Sequence, residues 1–255
     1  MKRPLTIILS LGCTFLLGSC GDRITEPQRL DYELVGSVPH DPKASTQGLL
    51  LHGPLYYEST GGYGQSTLRR VDSASGQVLK QRRLPKEIFG EGIALREDRL
   101  YQLEWKGGRG FIYERESFDY VGDFHYEGEG WGLAWDGAHF ILSDGTETLR
   151  FLNPDSFQVA RTLTVRDHRG PVDLLNELEW IDGKLYANRW HTDDLLVINP
   201  KSGRIEAKLN LASLGLPRPS DPESVLNGIA FDPKTNLLHV TGKRWPRVYL
   251  IRVRK

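Results

Sequence analysis

The sequence predicts an all-β fold, a five-bladed β-propeller whose ring is closed by an N-terminal strand that pairs with the last blade. One strand–turn–strand pattern recurs five times, starting at residues 47, 91, 131, 177 and 227. No stretch after the N-terminal segment has a helical hydrophobic period of useful length. The composition, 39% hydrophobic and 26% charged over 255 residues, is that of one large globular domain.

The first 19 residues are expected to be a lipoprotein signal peptide rather than part of the fold. Lys2 and Arg3 precede an apolar run over residues 5–17, which is too short to span a bilayer as a helix. The stretch Leu17-Gly18-Ser19-Cys20 resembles a bacterial lipobox, which implies cleavage before Cys20 and acylation of its thiol. A plain secretory signal with a chance cysteine is the alternative.

The lipobox resemblance implies a protein anchored in the bacterial cell envelope through lipid on Cys20. Gly21, rather than Asp, follows the cysteine, which favours the outer membrane with the domain facing the periplasm. Residues 20–30 are polar and are predicted to be the acylated cysteine and a tether, and residues 31–255 are predicted to form the domain. Cys13, the other cysteine, lies in the removed segment, so the mature domain has none left for a disulfide.

Each repeat is predicted to contain three or four strands. A short apolar strand, a turn and a second apolar-aromatic strand come first, and a third strand follows. The third strands are predicted at residues 68–71, 110–113, 149–152, 195–198 and 248–251. The fifth repeat reaches the end of the sequence after its third strand. Residues 31–38 have the alternating side-chain pattern of a β-strand, and we predict that they supply the missing outer strand.

The five residues that start the repeats should converge at one mouth of the central channel. These residues are Gln47, Glu91, Trp131, Glu177 and Asn227. The ends of the second strands should approach the same mouth, and they carry Glu58, Trp105, Trp190 and Lys243. Carboxylates, indoles and an ammonium together predict a small-ligand site. The alternative is that the polar side chains only bind one another, water or a cation across the axis.

Several classes of function have no support in the sequence. Lys and Arg together number 33, as do Asp and Glu, so the net charge is zero. The sequence therefore lacks the excess of basic residues that is typical of nucleic-acid-binding proteins. The seven histidines are scattered without metal-ligand spacing, so we expect no zinc site. There is no Gly-x-Ser-x-Gly elbow and no phosphate-binding loop, and no cofactor is expected.

Ten short motifs, in order along residues 31–255, are similar to those of one family. They are Thr46-Gln47-Gly48-Leu49, Glu58-Ser59-Thr60-Gly61-Gly62-Tyr63-Gly64, Phe89-Gly90-Glu91-Gly92, Leu100-Tyr101-Gln102-Leu103-Glu104-Trp105, Gly130-Trp131-Gly132-Leu133, Ser143-Asp144-Gly145-Thr146, Leu175-Asn176-Glu177-Leu178-Glu179, Ala187-Asn188-Arg189-Trp190-His191-Thr192-Asp193, Val225-Leu226-Asn227-Gly228-Ile229-Ala230 and Thr241-Gly242-Lys243-Arg244-Trp245-Pro246. The chain thereby resembles the plant-type glutaminyl-peptide cyclotransferases, which have bacterial members. One departure is Ser45, where the family usually has Phe.

The resemblance implies a five-bladed fold and an enzyme that converts N-terminal glutamine to pyroglutamate with loss of ammonia. It places eight residues at the channel mouth: Gln47, Glu58, Trp105, Trp131, Asn176, Glu177, Trp190 and Lys243. We expect a monomer whose partner is the N-terminal glutamine of a peptide or protein.

Glu58 is the first candidate for the general acid and base, because a carboxyl walled by indoles should have a raised pKa. Lys243, Asn176 and Gln47 are candidate donors to the amide oxygen or the oxyanion. The three tryptophans could bound the glutamine side chain and exclude water.

Two other functions remain open from the sequence. One is a non-catalytic propeller scaffold that grips peptide ends in the envelope. The other is a cation-dependent, lactonase-like hydrolase with Glu91, Glu177 and Asn227 as oxygen ligands.

Overall fold

Strands dominate the structure, as the repeat predicts. The computed structural model describes residues 25–214 and 221–254, so the predicted signal segment and Cys20 lie outside the described residues. In the described part, 22 strands and one short 3-10 helix, Ala212–Leu214, are present. No helix in residues 25–214 and 221–254 has the length and apolar character needed to cross a membrane.

Most strands fall into five antiparallel sets, one for each repeat. Set 1 contains β2 (Thr46–His52), β3 (Leu55–Thr60), β4 (Thr67–Asp72) and β5 (Val78–Arg83). Set 2 contains β6 (Gly90–Arg96), β7 (Arg99–Glu104), β8 (Arg109–Glu114) and β9 (Tyr120–His125). Set 3 contains β10 (Leu133–Trp135), β11 (Phe140–Leu142), β12 (Thr148–Leu152) and β13 (Val159–Thr164).

Sets 4 and 5 are joined into one eight-stranded sheet by β1 (Gln28–Pro39). Set 4 contains β16 (Leu175–Ile181), β17 (Lys184–Arg189), β18 (Asp194–Ile198) and β19 (Ile205–Asn210). Set 5 contains β20 (Leu226–Asp232), β21 (Leu237–Gly242) and β22 (Arg247–Arg254). A small separate hairpin, β14 (Arg166–Asp167) with β15 (Gly170–Pro171), lies between sets 3 and 4 in sequence.

The N-terminal strand completes the last set. Residues 31–39 pair antiparallel with β22, while Gln28, Arg29 and Leu30 pair in parallel with β19. The prediction that this segment pairs with the last repeat is therefore confirmed. The strand begins at Gln28, so the segment from 28 to 30, predicted as tether, is already part of a sheet.

The apolar core lies between consecutive sets. Five buried clusters each combine residues from two neighbouring sets, for example Leu50 of set 1 with Ile93 of set 2. The other clusters join sets 2 and 3, 3 and 4, 4 and 5, and 5 and 1. The first strands β2, β6, β10, β16 and β20 also contact one another in that order, and β20 contacts β2. The packing order is therefore cyclic.

A glycine at the repeat start lets the first strand of sets 1, 2 and 3 approach the next set closely, whereas the fourth repeat has Leu178 at this position. A Cβ built on Gly92 would lie 2.5 Å from the backbone nitrogen of Leu133, and one on Gly132 would lie 2.1 Å from the carbonyl oxygen of Asn176. Both obstacles are backbone atoms of the next set, so neither can rotate away. Glycine at these positions therefore permits the close spacing from set 1 to set 4.

This contact yields a prediction about stability. Gly92→Ala should lower the free energy of unfolding by about 1–3 kcal/mol, because the added methyl group overpacks the contact between sets. Gly122→Ala is the matched control, since Gly122 lies in β9 and a Cβ there meets no atom within 4 Å. Urea unfolding of both variants measures the difference. Equal stability of the two would contradict the role assigned to Gly92.

Candidate active site

One cavity, of about 380 Å³, gathers the starts of several first strands and the ends of second strands. The residues that line it are Ser45, Gln47, Phe89, Glu91, Trp105, Trp131, Asn176, Trp190, Glu223, Lys243 and Arg244. Six of the eight residues placed at the channel mouth from the sequence are among them, and Glu58 and Glu177 are not. All five sets or their connecting loops contribute to this cavity.

Aromatic rings form its walls. Trp131 meets Trp190 edge to face, with ring centroids 5.4 Å apart, and Phe89 lies 5.3 Å from Trp105. Edge-to-face and tilted contacts at these distances are favourable because ring edges are positive and ring faces negative. The rings therefore form a stiff apolar enclosure around the polar groups of the cavity.

A carboxyl and an ammonium share the interior. The Glu91 side chain is buried, and burial raises its pKa well above the ordinary value of 4.5; the nearby Lys243 opposes this shift and Glu129 adds to it. Burial also lowers the pKa of Lys243, although Glu91 and Glu223 oppose that change. Since desolvation is the largest cause for both groups, the enclosure disfavours both charged forms.

Two polar atoms of the cavity have no partner within the described part of the chain. They are Oδ1 of Asn176, an acceptor, and Nε1 of Trp190, a donor. Gln47 Oε1 accepts a hydrogen bond from Asn227 Nδ2 at 3.2 Å, which orients the Gln47 amide. Buried polar groups normally find partners, so Asn176 and Trp190 are suited to bind polar atoms of a ligand.

Comparison with known proteins identifies the family. The sequence model of the glutamine cyclotransferase family matches residues 7–253. The chain is 40% identical over 230 residues to glutaminyl-peptide cyclotransferase of Arabidopsis thaliana, covering 88% of this chain and 72% of the plant protein. The chain belongs to the glutamine cyclotransferase family.

A solved structure agrees with this assignment. The crystal structure of Myxococcus xanthus glutaminyl cyclase matches with a TM-score of 0.84 and 38% identity, covering 89% of this chain and 98% of the Myxococcus chain. The homologues are enzymes, as their names state, so the chain is a member of an enzyme family with an all-β fold.

Within this cyclotransferase, Glu58 lies in a buried ion-pair network instead of the cavity. Its Oε1 accepts hydrogen bonds from His40 Nε2 at 2.9 Å and Thr46 Oγ1 at 2.7 Å, and Arg69 lies 3.8 Å from Oε2. Burial alone would raise the pKa of Glu58, but the charges and hydrogen bonds of His40, Arg69 and Thr46 hold it below 4.5. The expectation of a raised pKa at Glu58 is therefore wrong.

The network also reaches the turn that carries Lys243. His40 donates from Nδ1 to the carbonyl oxygen of Trp245 at 2.6 Å while it binds Glu58 through Nε2. Burial would lower the pKa of His40, but the Glu58 carboxylate and the Trp245 carbonyl raise it above 6.5. Glu58 thus stabilises the segment beside the cavity without facing the cavity itself.

Glu177 is buried among the first strands and is not among the residues that line the cavity. Its two carboxyl oxygens accept hydrogen bonds from the backbone nitrogens of Leu49, at 3.2 Å, and Ile229, at 2.9 Å. Burial and the neighbouring Glu179 raise its pKa well above 4.5. Glu177 therefore links β16 to β2 and β20 and does not line the cavity, contrary to its assignment as a substrate-binding residue.

The proposed cation ligands do not form a common group. Asn227 donates from Nδ2 to the carbonyl oxygen of Thr46 at 3.0 Å, while Glu177 binds backbone amides and Glu91 faces the cavity. Among residues 25–214 and 221–254, no group of three or more His, Cys, Asp and Glu side chains could hold a metal ion.

Five cavity residues are not among the eight that the family resemblance placed at the channel mouth: Ser45, Phe89, Glu91, Glu223 and Arg244. Glu91 was expected at the channel mouth as a repeat start and was considered as a cation ligand, and it lines the cavity. Phe89 and Arg244 stand inside two of the family-like motifs, and Glu223 carries no recognisable signal.

The Glu58 network predicts a stability effect. Glu58→Gln should lower the free energy of unfolding at neutral pH by about 3–5 kcal/mol, because it leaves the buried His40 charge without its carboxylate, while Arg69 keeps Asp41 at 2.9 Å. The lowered pKa of Glu58 contributes stability above pH 4.5 that is lost as the pH falls through the folded-state value, so the variant should lack this acid dependence. Urea unfolding across pH 3–7 (an approximate window) measures both effects.

The matched control is Glu116→Gln. Glu116 also pairs with an arginine, Arg70, at 2.7 Å, but its side chain is 62% exposed. Exposed pairs contribute little, so the control should change the free energy of unfolding by less than about 1 kcal/mol. A Glu58→Gln protein as stable as the control would show that the network is not stabilising.

Proposed function

We propose that the chain is a glutaminyl-peptide cyclotransferase that converts the N-terminal glutamine of peptides or proteins to pyroglutamate and releases ammonia. The observation that carries this proposal is the buried Glu91 carboxyl, opposite Lys243, in a cavity walled by Trp105, Trp131 and Trp190. Membership of the cyclotransferase family supports it.

The proposal includes a five-bladed propeller as the scaffold, with each strand set as one blade. The cyclic order of core clusters and of contacts between first strands supports this arrangement, as does the pairing of β1 with β22. In such a ring, residues far apart in sequence meet at the axis. Asn176 of set 4 and Lys243 of set 5 can then reach the same ligand as Glu91 of set 2.

The cavity fits a glutamine side chain at a chain end. The indole N–H of Trp190 can donate to the side-chain carbonyl oxygen, and Asn176 Oδ1 can accept from the amide or amine hydrogens. The aromatic walls contact the methylene groups and exclude water, which strengthens each polar contact.

The reaction needs one proton to move twice. The substrate amine forms a bond to the side-chain carbonyl carbon, and the bond from that carbon to the amide nitrogen breaks. Glu91 as carboxylate accepts a proton from the amine and then donates it to the departing nitrogen, which leaves as ammonia. A raised pKa suits both steps, since the group then gains and loses a proton near neutral pH. Lys243 stabilises the developing oxyanion.

The decisive variant is Glu91→Gln. Its kcat should fall by about 10²–10⁴-fold, because the amide cannot transfer the proton. For the wild type, kcat/KM should fall on the acid side at a pH well above 4.5, since Glu91 must ionise to accept a proton. The measurement is ammonia release and mass loss from a peptide that begins with Gln, using residues 20–255 with Cys20→Ser.

Two controls accompany this assay. Glu87→Gln removes an exposed carboxylate four positions earlier and should leave turnover unchanged. The same peptide with an acetylated N-terminus should release no ammonia, because its amine cannot attack. Peptide binding without ammonia release would favour the scaffold alternative, and full turnover of folded Glu91→Gln would remove Glu91 from the proton steps.

We also propose that the enzyme is anchored in the cell envelope through lipid on Cys20, with the domain facing the periplasm. The support is sequence alone: the basic start, the apolar run over residues 5–17 and the lipobox-like Leu17-Gly18-Ser19-Cys20. Full-length Cys20→Ser should move from the membrane fraction to the soluble fraction and should incorporate no labelled fatty acid. Retention in the membrane fraction would contradict the anchor.

A further inference from the structure

We propose that Glu129, which does not line the cavity, is a positioning residue that fixes two of its aromatic walls and places its carboxyl group near Glu91. This inference rests on the proposed function, because it concerns how the same cavity holds and turns over its substrate. It assigns a role to a loop residue that the sequence did not single out.

One carboxylate oxygen holds two indoles. Glu129 Oε2 accepts a hydrogen bond from Trp105 Nε1 at 2.8 Å and another from Trp131 Nε1 at 3.0 Å. An indole has a single N–H donor and no acceptor, so its one hydrogen bond fixes the direction of the ring plane. Hydrogen bonds to an ionised acceptor are stronger than neutral ones. Trp105 follows β7 and Trp131 precedes β10, so Glu129 links walls from two sets.

The remaining rings depend on these two. Trp190 has no hydrogen-bond partner for Nε1 within the described residues, and its ring contacts Trp131 edge to face at 5.4 Å. Phe89 is tilted against Trp105 at 5.3 Å. Movement of Trp105 or Trp131 would therefore displace the aromatic neighbours on both sides of the cavity.

The backbone of the Glu129 loop is held independently of its side chain. Arg150 donates from Nη2 to the Glu129 carbonyl oxygen at 2.7 Å and also binds the Glu127 carbonyl oxygen. Arg150 pairs in turn with Asp144 at 3.2 Å, and Gly130 N donates to the Trp105 carbonyl oxygen at 3.0 Å. Substitution of the Glu129 side chain should therefore leave the loop folded.

The charge of Glu129 acts on Glu91 in the direction opposite to Lys243. Burial is the main cause of the raised Glu91 pKa, Lys243 lowers it, and Glu129 raises it further. The phenol of Tyr126 also lies near Glu91, and it donates a hydrogen bond to the Glu104 carbonyl oxygen. Without the Glu129 carboxylate, only burial would oppose the effect of Lys243, and the pKa of Glu91 would fall.

Two variants separate the two roles. Glu129→Gln keeps an acceptor oxygen for the indoles but removes the carboxylate, so the acid limb of kcat/KM should move to lower pH while KM stays close to wild type. Glu129→Ala removes both, so KM should also rise by about tenfold or more as the walls loosen. Glu127→Gln, an exposed carboxylate two positions away, is the control and should change neither.

A spectroscopic readout tests the positioning without turnover. Indole N–H proton resonances of Trp105 and Trp131, assigned with Trp105→Phe and Trp131→Phe, should lie downfield in the wild type and move upfield together in Glu129→Ala. Unmoved indole resonances in Glu129→Ala, or a Glu129→Gln pH profile that matches Glu127→Gln, would overturn the inference. A wild type that releases no ammonia would overturn the proposed function instead, and the indole resonances would still decide the positioning role.

Discussion

The burial of the Glu91 carboxyl opposite Lys243 is the interaction on which the rest of the account depends. Solvent exposure would return both groups to ordinary pKa values, and a proton could not pass easily to and from the carboxyl at neutral pH. The aromatic walls maintain the burial, and Glu129 orients two of them through one oxygen. The packing of the aromatic walls therefore maintains the shifted pKa values of both groups.

The buried cavity is formed by residues from several strand sets, which no single short segment of the chain could bring together. Glu91 is held at the start of β6 by Gly92, whose close approach to β10 leaves no room for a side chain. Asn176 and Lys243, from sets 4 and 5, lie 85 and 152 residues after Glu91 in the sequence. The His40–Glu58 pair secures the turn after β21 from the N-terminal side. Gly92 and the His40–Glu58 pair thus lie outside the cavity, but they help to position the side chains that face it.

The sequence predicted the strand order well because the repeat is periodic and its turns are marked by Gly, Asp and Asn. It also predicted the pairing of residues 31–38 with the last set, since a three-stranded last repeat leaves an open edge. It selected Glu58 as the first candidate for the acid and base because Glu58 and Glu91 both follow strand-like patterns near glycine, but of the two only Glu91 lines the cavity. What separates them is the partners: His40 and Arg69 pair with Glu58, and these pairings are set by tertiary contacts that spacing does not reveal.

Titration of the Glu91 carboxyl carbon by ¹³C NMR tests this account most directly, with Glu91→Gln used to assign its resonance. The account predicts that Glu91 titrates well above 4.5, and that Lys243→Met raises its pKa further because the opposing charge is removed. Titration of Glu91 at or below 4.5, with no response to Lys243→Met, would contradict it.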